Sequence, residues 1–473
     1  MIDLSLGDLA EIIHADLVGG RADSRVTAPV AIDSRAVVPG GLFVAVSGAQ
    51  SDGHDYAQDA ARHGAVAVLG TRATVLPTLV VADPVLALGA LARRVVESLP
   101  QLTVLALTGS QGKTGTKDYL AEILSTVGDT IATAGNFNNE LGVPLTLLRA
   151  DPSTRFLVVE MGARARGDIA YLSSLARPRI VGVLNVGVAH LGEFGTQDEI
   201  AATKGELVEG LPADAVAVLN ADDPLTMAMV ARTKARVLTF GRSGEVSSRS
   251  VKSDEFGRPS FEIGYAGRWE HVRLSGLGAH QVANACAATG LALSAGVDLA
   301  TCARALTACR LPSRWRMELT ERADGLVVIN DAYNANPASM AAAIDTLAGI
   351  GSRTGRRNVA ILGEMLELGS DSVALHRQVG RHVAAAGIDV LVTVGGEGAE
   401  IWAGAHEDRA TSVAGYPAPG RDEAIDWVRH NVSADDVVLV KASRGGALEH
   451  VATALLDTGS AQTADYRSER DQQ

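Results

Sequence analysis

The chain has 473 residues, which is more than a single hydrophobic core usually serves, so the length predicts several domains, and we expect three. Its composition, 47% hydrophobic and 21% charged with 50 glycines, is typical of a globular protein with many tight turns and argues against long disordered regions. The formal net charge of −13 argues against a protein that coats nucleic acid or lies on an anionic membrane, since both partners attract a positive surface.

The cysteines and the amino-terminal segment indicate the compartment. Cys286, Cys302 and Cys309 are odd in number and lack metal-ligand spacing, so we expect buried, reduced thiols without a disulfide. The first residues, MIDLSLGDLAEIIHADL, are acidic where a signal peptide is basic, and no apolar run of about 18 residues follows. These features predict a cytoplasmic protein without membrane insertion.

The first predicted domain is a small α/β domain. Residues 28–83 alternate short apolar runs with a polar helical segment around residues 55–63. A helix is predicted from Val85 to Ser98 and ends before a proline. We therefore place this domain at residues 1–99.

The middle region contains nearly continuous apolar runs, namely LTVLALTG, FLVVEMG, RIVGVLNVG and AVAVLNADD. Strands with such runs are buried on both faces, which predicts a parallel sheet covered by helices. Two helices predicted at about 279–295 and 299–308 close the region. We place this domain at residues 100–310.

The third region again alternates apolar runs with helical segments, as in GLVVIND, NVAILG, DVLVTVG and DVVLVKAS. This alternation predicts a second doubly wound sheet of the Rossmann type. We place the domain at residues 311–456 and expect a frayed tail at 457–473.

A phosphate loop is the strongest motif of the chain, and it joins the strand LTVLALTG to the helical pattern TKDYLAEIL. Its residues are Gly109, Ser110, Gln111, Gly112, Lys113 and Thr114. The glycines let N–H groups converge on phosphate oxygens at a helix N-terminus, the lysine meets the outer phosphates, and the threonine hydroxyl ligates magnesium. Only the short form G-x-x-G-K-T is present, because Leu107 stands where the longer motif has glycine. The alternative is a glycine turn that opens a helix with an exposed lysine.

Three more polar residues belong to the same predicted domain. Glu160 follows the strand FLVV, His190 follows a strand in LNVGVAHLGEFG, and Lys204 lies in the helical segment TKGELVEG. Ligands bind at the carboxyl ends of strands in open α/β sheets, so Glu160 is a candidate magnesium ligand. Each residue alone is more often structural or solvent-facing, and their combination is what indicates a site.

From about residue 28 to about residue 456 the chain resembles the Mur ligase family. The resemblance rests on T-G-S-Q-G-K-T, E-M-G-A, A-H-L-G-E-F-G and T-K-G-E-L, in this order. It implies three α/β domains: a small N-terminal domain that binds a UDP-sugar, a central P-loop-type parallel-sheet ATPase domain, and a C-terminal Rossmann-like domain that binds the incoming amine. We also expect a monomer, and a hinge near residues 310–314 that lets the second and third domains close on ATP.

Two longer stretches, residues 133–148 and 329–340, resemble the branch of the family that adds D-alanyl-D-alanine, and the Asp-Asn-Pro-Arg motif of the diamino-acid-adding branch is absent. The resemblance implies ATP-dependent ligation of this dipeptide to a UDP-N-acetylmuramoyl tripeptide through an acyl phosphate, a step of peptidoglycan precursor synthesis. The alternatives are a diamino-acid-adding ligase, a folate-polyglutamate-type ligase and a non-catalytic ATP-binding switch protein.

The resemblance also implies a catalytic and metal site in the middle domain. Lys113 and the loop amides would bind ATP phosphates, and Thr114, Glu160 and His190 would ligate Mg²⁺ directly or through water. Lys204 matches a lysine that CO₂ carbamylates, and the carbamate would bind a second Mg²⁺.

Further contacts are implied for the nucleotide and for the two small-molecule substrates. The implied nucleotide contacts are Asn284, Arg314 and Asp331. The implied substrate contacts are Ser34, Arg35 and His54 for the uridine diphosphate, and Asn138, Asn139, Asn334, Asn336, Lys441 and Arg444 near the peptides. The chain departs from the family pattern at Gln111, Gly115 and Ala442, where asparagine, threonine and glycine are usual.

Overall fold

The structure is a computed structural model, and it describes residues 3–48, 51–187, 196–310, 313–408 and 413–457. The chain forms two compact units. The first contains the chain as far as Ser313 except residues 255–257, and the second contains those three residues and the chain from Arg314. The first unit therefore holds both predicted amino-terminal domains, and the domain boundaries at residues 99 and 310 stay predictions.

The N-terminal part of the first unit contains a mixed sheet and short helices. The strands are β1 (Leu4–Ser5), β2 (Asp16–Val18), β3 (Arg25–Val26), β4 (Val30–Ala31), β5 (Leu42–Val44), β6 (Ala67–Gly70) and β7 (Thr78–Val80), and the helices are α1 (Leu6–Ile13), α2 (Ala57–Arg62) and α3 (Pro84–Glu97). The sheet order is β2-β7-β6-β5-β4, in which only β2 is antiparallel to its neighbour. Helix α3 begins as the sequence predicts, because Asp83 accepts hydrogen bonds from two first-turn N–H groups and Pro84 needs none.

The middle part is built on a six-stranded parallel sheet, as the continuous apolar runs predict. The strands are β8 (Thr103–Thr108), β9 (Thr130–Ala132), β10 (Phe156–Glu160), β11 (Ile180–Val183), β12 (Val216–Asn220) and β13 (Arg236–Phe240), and the helices are α4 (Lys113–Ser125), α5 (Gly142–Leu147), α6 (Asp168–Ala176), α7 (Gln197–Glu209) and α8 (Pro224–Met227). The sheet order is β13-β12-β11-β8-β10-β9, which puts β8 between β10 and β11.

Strand β8 explains why the run around it is apolar throughout. Val104 and Ala106 pack into a cluster that also contains residues of α1 and α3. Leu105 and Leu107 point to the opposite face, into a second cluster. Since successive side chains of a strand point to opposite faces, a strand covered on both sides needs apolar residues at every position.

A small antiparallel sheet follows, which the sequence analysis missed. It consists of β14 (Ser247–Ser253), β15 (Pro259–Tyr265) and β16 (Arg268–Arg273), and two helices follow it, α9 (His280–Ser294) and α10 (Leu299–Ala308). Strand β14 is largely exposed, so its sequence lacks the apolar pattern that predicts a buried strand. The two predicted helices are confirmed, and the three cysteines are free and buried, with burial raising the pKa of each thiol to about 12.

The second unit contains the predicted doubly wound sheet. Its strands are β17 (Glu318–Glu321), β18 (Val327–Asp331), β19 (Arg357–Leu362), β20 (Val390–Val394), β21 (Ala414–Ala418) and β22 (Asp436–Lys441), and its helices are α11 (Pro337–Thr354), α12 (Ser372–Ala385), α13 (Gly398–Ala405), α14 (Arg421–Asn431) and α15 (Glu449–Leu456). The order is β17-β18-β22-β19-β20-β21, with β17 as an antiparallel edge strand. Within the described part of the chain, none of the helices has both the length and the apolar character that crossing a bilayer requires.

Candidate active site

The phosphate loop connects the carboxyl end of β8 to the amino end of α4, as predicted. Gly112 caps the helix with φ of 79°, a left-handed conformation that favours glycine, and a Cβ atom there would clash with the side chain of Asn284. The first N–H groups of an α-helix have no partner within the helix. The start of α4 therefore offers donors and a positive dipole end to an anion.

Lys113 and Thr114 occupy the first turn of α4. The Lys113 Nζ donates to the carbonyl oxygen of Gly109 at 2.7 Å, so the ammonium folds back over the loop. Thr114 is buried, and its Oγ1 donates to Glu160 Oε2 at 3.1 Å. The structure thus brings together the lysine, the hydroxyl and the carboxylate that the sequence predicts.

Glu160 is the last residue of β10 and is only 2% exposed. Its Oε1 accepts a hydrogen bond from Asn138 Nδ2 at 2.9 Å, and its backbone N–H donates to Thr133 Oγ1 at 3.0 Å. A carboxylate and a hydroxyl oxygen side by side are the hard oxygen ligands that Mg²⁺ prefers, so these residues fit the cation. The predicted ligand His190 lies outside the described residues.

Lys204 lies on α7 and is buried. Burial, with a smaller contribution from the charge of Lys113, lowers the pKa of its ammonium to about 7. Desolvation disfavours the charged form of a lysine, and a second cation repels it. A substantial fraction of this amine is therefore neutral and nucleophilic near neutral pH.

Asn284 on α9 is also buried and packs against the start of α4. A Cβ atom at Gly115 would lie 3.1 Å from Asn284 Nδ2 and 3.5 Å from Gln281 Oε1. Threonine at this position would therefore push against Asn284. This close approach is a physical reason for the glycine that departs from the family pattern.

Sequence reasoning missed Asn185 and Thr133. Asn185 Oδ1 accepts from the N–H of Gln111 at 2.9 Å, and Thr133 holds the backbone of Glu160. Asn185 follows β11 at the same sheet edge as the phosphate loop, and this position was the signal that could have identified it.

The predicted uridine-site residues have partners within the protein. Ser34 Oγ donates to Asp59 at 2.7 Å, and exposed Arg35 pairs with Asp33 at 2.8 Å and lowers the pKa of that carboxyl to about 2. His54 is buried, with Nδ1 2.6 Å from an Asp52 oxygen and Nε2 accepting from the N–H of Thr71 at 2.9 Å; these bonds support its neighbours. A direct substrate contact by the His54 ring would require one of these bonds to break, and the contacts of all three residues stay predictions.

The predicted peptide-side asparagines have two local roles. Asn138 holds Glu160, while Asn139 Oδ1 accepts from the N–H of Gly142 at 3.0 Å, where α5 begins. In the second unit, Asn336 caps α11 together with Ser339. These bonds orient the loops without testing a substrate contact.

In the second unit, Lys441 is buried and donates from Nζ to Asp331 Oδ2 at 2.6 Å and to the carbonyl oxygen of Asn334 at 2.9 Å. Arg444 pairs with Glu449 and stacks over the ring of Trp315 at 4.3 Å. This unit contains all the predicted nucleotide and peptide contacts of the third domain, namely Arg314, Asp331, Asn334, Asn336, Lys441 and Arg444. Their contacts with the nucleotide and the peptides stay predictions, and the predicted hinge includes residues 311 and 312, outside the described residues.

Glu160→Gln is expected to raise the Mg²⁺ concentration that gives half-maximal activity by about ten- to a hundredfold, because the amide lacks the negative charge that attracts the cation. The measurement is a Mg²⁺ titration of activity. The control is Glu206→Gln, since buried Glu206 accepts backbone N–H groups at the start of α6. Equal Mg²⁺ dependence in the two variants would contradict the role of Glu160.

Three family models match the chain. One described as Mur ligase family, catalytic domain, matches residues 28–107; Mur ligase middle domain matches residues 107–292; and Mur ligase, glutamate ligase domain, matches residues 315–444. Together they span most of both units.

Proteins named UDP-N-acetylmuramoyl-tripeptide--D-alanyl-D-alanine ligase are similar to the chain over nearly its whole length. That of Mycobacterium tuberculosis strain H37Rv is 42% identical over 96% of this chain and 98% of its own length, and that of Escherichia coli K12 is 37% identical over 97% and 100%. A crystal structure of MurF from Acinetobacter baumannii has a TM-score of 0.85 at 30% identity, covering 96% of this chain and 99% of its own. A MurF ligase from Thermotoga maritima in complex with ADP has a TM-score of 0.76 at 30% identity, covering 91% and 97%.

Proposed function

The chain belongs to the Mur ligase family, and from this membership we propose the reaction that its site carries out. It is an ATP-dependent ligase that joins D-alanyl-D-alanine to the terminal carboxylate of a UDP-N-acetylmuramoyl tripeptide. The products are the UDP-linked pentapeptide, ADP and phosphate, and the reaction belongs to peptidoglycan precursor synthesis.

The observation that carries this proposal is the burial of Lys204 at a place where the charge of Lys113 also lowers its pKa. A protein that only bound ATP as a switch would need the phosphate loop but would gain nothing from a desolvated lysine beside it. A neutral amine attacks CO₂ and loses a proton to solvent, and the resulting carbamate is an anion that can hold a cation next to the phosphates. We therefore assign Lys204 as the carbamylated residue of this site.

The mechanism begins with activation of a carboxylate, whose oxygens are poor leaving groups. The carboxylate attacks the γ-phosphorus of ATP, the bond from this phosphorus to the bridging oxygen breaks, and ADP leaves, so that an acyl phosphate forms. Lys113 and the first N–H groups of α4 would balance the charge that develops on the transferring phosphoryl group. Bound Mg²⁺, held by Thr114, Glu160, His190 and carbamylated Lys204, would supply further charge neutralisation.

The second step forms the amide bond. The neutral amine of D-alanyl-D-alanine attacks the acyl carbon, and the tetrahedral intermediate then expels phosphate while the amine loses a proton. Asn138 would keep the Glu160 carboxylate oriented through both steps by the hydrogen bond at 2.9 Å. The pair of ions, the cytoplasmic location and the monomeric state stay predictions.

A single incubation tests the function. The purified protein is supplied with ATP, with the UDP-linked tripeptide and the UDP-linked dipeptide that lacks its third residue as acceptors, and with a mixture of D-alanyl-D-alanine, free diaminopimelate and glutamate, and the product is identified by mass spectrometry. We expect only the dipeptide adduct, with phosphate released only when both substrates are present. A diamino-acid or glutamate adduct would move the assignment to another ligase, and ATP binding without product would favour the switch protein. Repeating the incubation with diaminopimelate or lysine at the third peptide position identifies the acceptor.

The pH dependence follows from the lowered pKa of Lys204. Below about pH 7 its amine is mostly protonated and cannot attack CO₂, whereas above this pH it is mostly neutral. At constant dissolved CO₂, we expect activity to rise with pH through this value and to fall by up to about a hundredfold per unit well below it, because conversion of the ammonium to the carbamate releases two protons. The control is Lys204→Ala supplied with acetate, whose activity should show only the shallower pH dependence that the amine of D-alanyl-D-alanine gives. A flat wild-type profile from about pH 5.5 to 8.5 would contradict the carbamate.

A further inference from the structure

Asn185 makes three hydrogen bonds to the phosphate loop. Its Oδ1 accepts from the N–H of Gln111 at 2.9 Å, and its Nδ2 donates to the carbonyl oxygen of Gln111 at 3.1 Å. Its backbone carbonyl oxygen accepts from the N–H of Ser110 at 3.1 Å. The side-chain amide therefore pairs with the backbone of Gln111 on both sides, as a neighbouring strand would.

The segment that carries Asn185 is itself held in place. Leu184 donates its N–H to the carbonyl oxygen of Thr108 at 3.0 Å and accepts from Asn220 Nδ2 at 2.8 Å. The N–H of Val186 donates to Asp223 Oδ2 at 2.6 Å. The side-chain amide of Asn185 therefore extends from a backbone held by hydrogen bonds, so that it can fix the conformation of the loop.

These bonds decide which donors of the loop are available. The N–H groups of Ser110 and Gln111 donate to Asn185, so the loop N–H groups that would be available to an anion are those from Gly112 onward. The left-handed conformation of Gly112, with φ of 79°, completes the turn into α4. A loop that lost the bonds to Gln111 would have to solvate these backbone groups and would be free to rotate them into other directions.

We propose that Asn185 is a positioning residue for ATP, which sets the phosphate loop so that its last N–H groups and Lys113 meet the β- and γ-phosphates. The inference rests on the proposed function and adds to it a residue that acts on the nucleotide through the backbone of the phosphate loop. Its effect should appear mainly in the affinity for the nucleotide. A loop with several conformations must be ordered when the nucleotide binds, and the free energy needed for this ordering lowers the affinity.

The test is Asn185→Ala, with Asn185→Leu as a second variant that keeps most of the side-chain volume. Both are expected to raise KM for ATP by about ten- to a hundredfold, the range for two lost hydrogen bonds, while KM for D-alanyl-D-alanine changes by less than about twofold. A binding measurement without turnover accompanies it, namely the rise in Tm on addition of ADP and Mg²⁺, which should be large in the wild type and nearly absent in the variants at the same ADP concentration.

A merely structural role would give a different result. It would lower the Tm of the free protein but leave KM for ATP and the ADP-induced rise in Tm as in the wild type. The control is Asn358→Ala in the second unit. Like Asn185, Asn358 uses its side-chain oxygen to accept a backbone hydrogen bond from another segment: its Oδ1 accepts from the N–H of Asp389 at 2.7 Å. We expect this variant to keep the wild-type KM for ATP.

Two failures are distinguishable. If the wild type forms the pentapeptide and both Asn185 variants keep its KM for ATP and its ADP-induced rise in Tm, the positioning role is overturned while the proposed function stands. If the wild type binds ADP but forms no pentapeptide, the proposed function fails, and the ADP measurements alone still decide whether Asn185 sets the loop.

Discussion

Lys204→Ala is expected to lower the rate of ligation by at least about a thousandfold, because the anionic metal ligand that the proposed carbamate would supply is lost from a buried site. The residue is 7% exposed, so bulk water does not readily enter to solvate a cation in place of the lost ligand. The measurement is pentapeptide formation under saturating substrates, with the Tm of the free variant as the check on folding. Lys234→Ala is the matched control, since Lys234 is an exposed lysine outside the site.

A partial rescue distinguishes the carbamate from a simple loss of a lysine. Truncation to alanine empties the buried space of the Lys204 side chain, which a short carboxylate can occupy, so acetate or formate should restore part of the activity of Lys204→Ala and leave the rate of Lys234→Ala unchanged. In the wild type, ¹³C-labelled CO₂ should give a carbamate signal that disappears in Lys204→Ala. An unaffected rate, or a wild type without this signal, would remove the assignment.

Lys113→Ala is expected to lower kcat by about a thousandfold, since the charge that builds on the phosphoryl group in the transition state is no longer matched. The loss should lie more in kcat than in KM for ATP, because the backbone donors at the start of α4 still bind the phosphates. The measurement is the rate of ADP release in the presence of all three substrates. A wild-type rate would contradict the assignment of the phosphate loop.

The two lysines are also expected to depend on each other. The charge of Lys113 contributes to the lowered pKa of Lys204, although burial is the larger cause. Removing that charge should raise the pKa of Lys204 and shift carbamate formation to higher pH, which the ¹³C signal reports independently of turnover. An unchanged pH dependence of the signal in Lys113→Ala would show that burial alone tunes Lys204.

Much of the fold was predictable because its information is local. A strand buried on both faces must be apolar at every position, so β8, β10, β11 and β12 could be read directly from continuous runs. The polar strand β14 could not, because its place in a sheet is decided by pairing with β15 and hardly by its own residues. The parallel order around β8 likewise became known only with the fold.

The same division holds for the site. The amino-acid sequence by itself determined the phosphate loop and Glu160 as candidates. A glycine turn between a strand and a helix can be recognised from a few consecutive residues, and so can a carboxylate at the end of a strand. Only the tertiary structure decided that Lys204 is desolvated and that Asn185, 74 positions from Gln111, holds the loop. Burial and hydrogen-bond partners depend on which distant segments the fold brings together, and no local pattern encodes them.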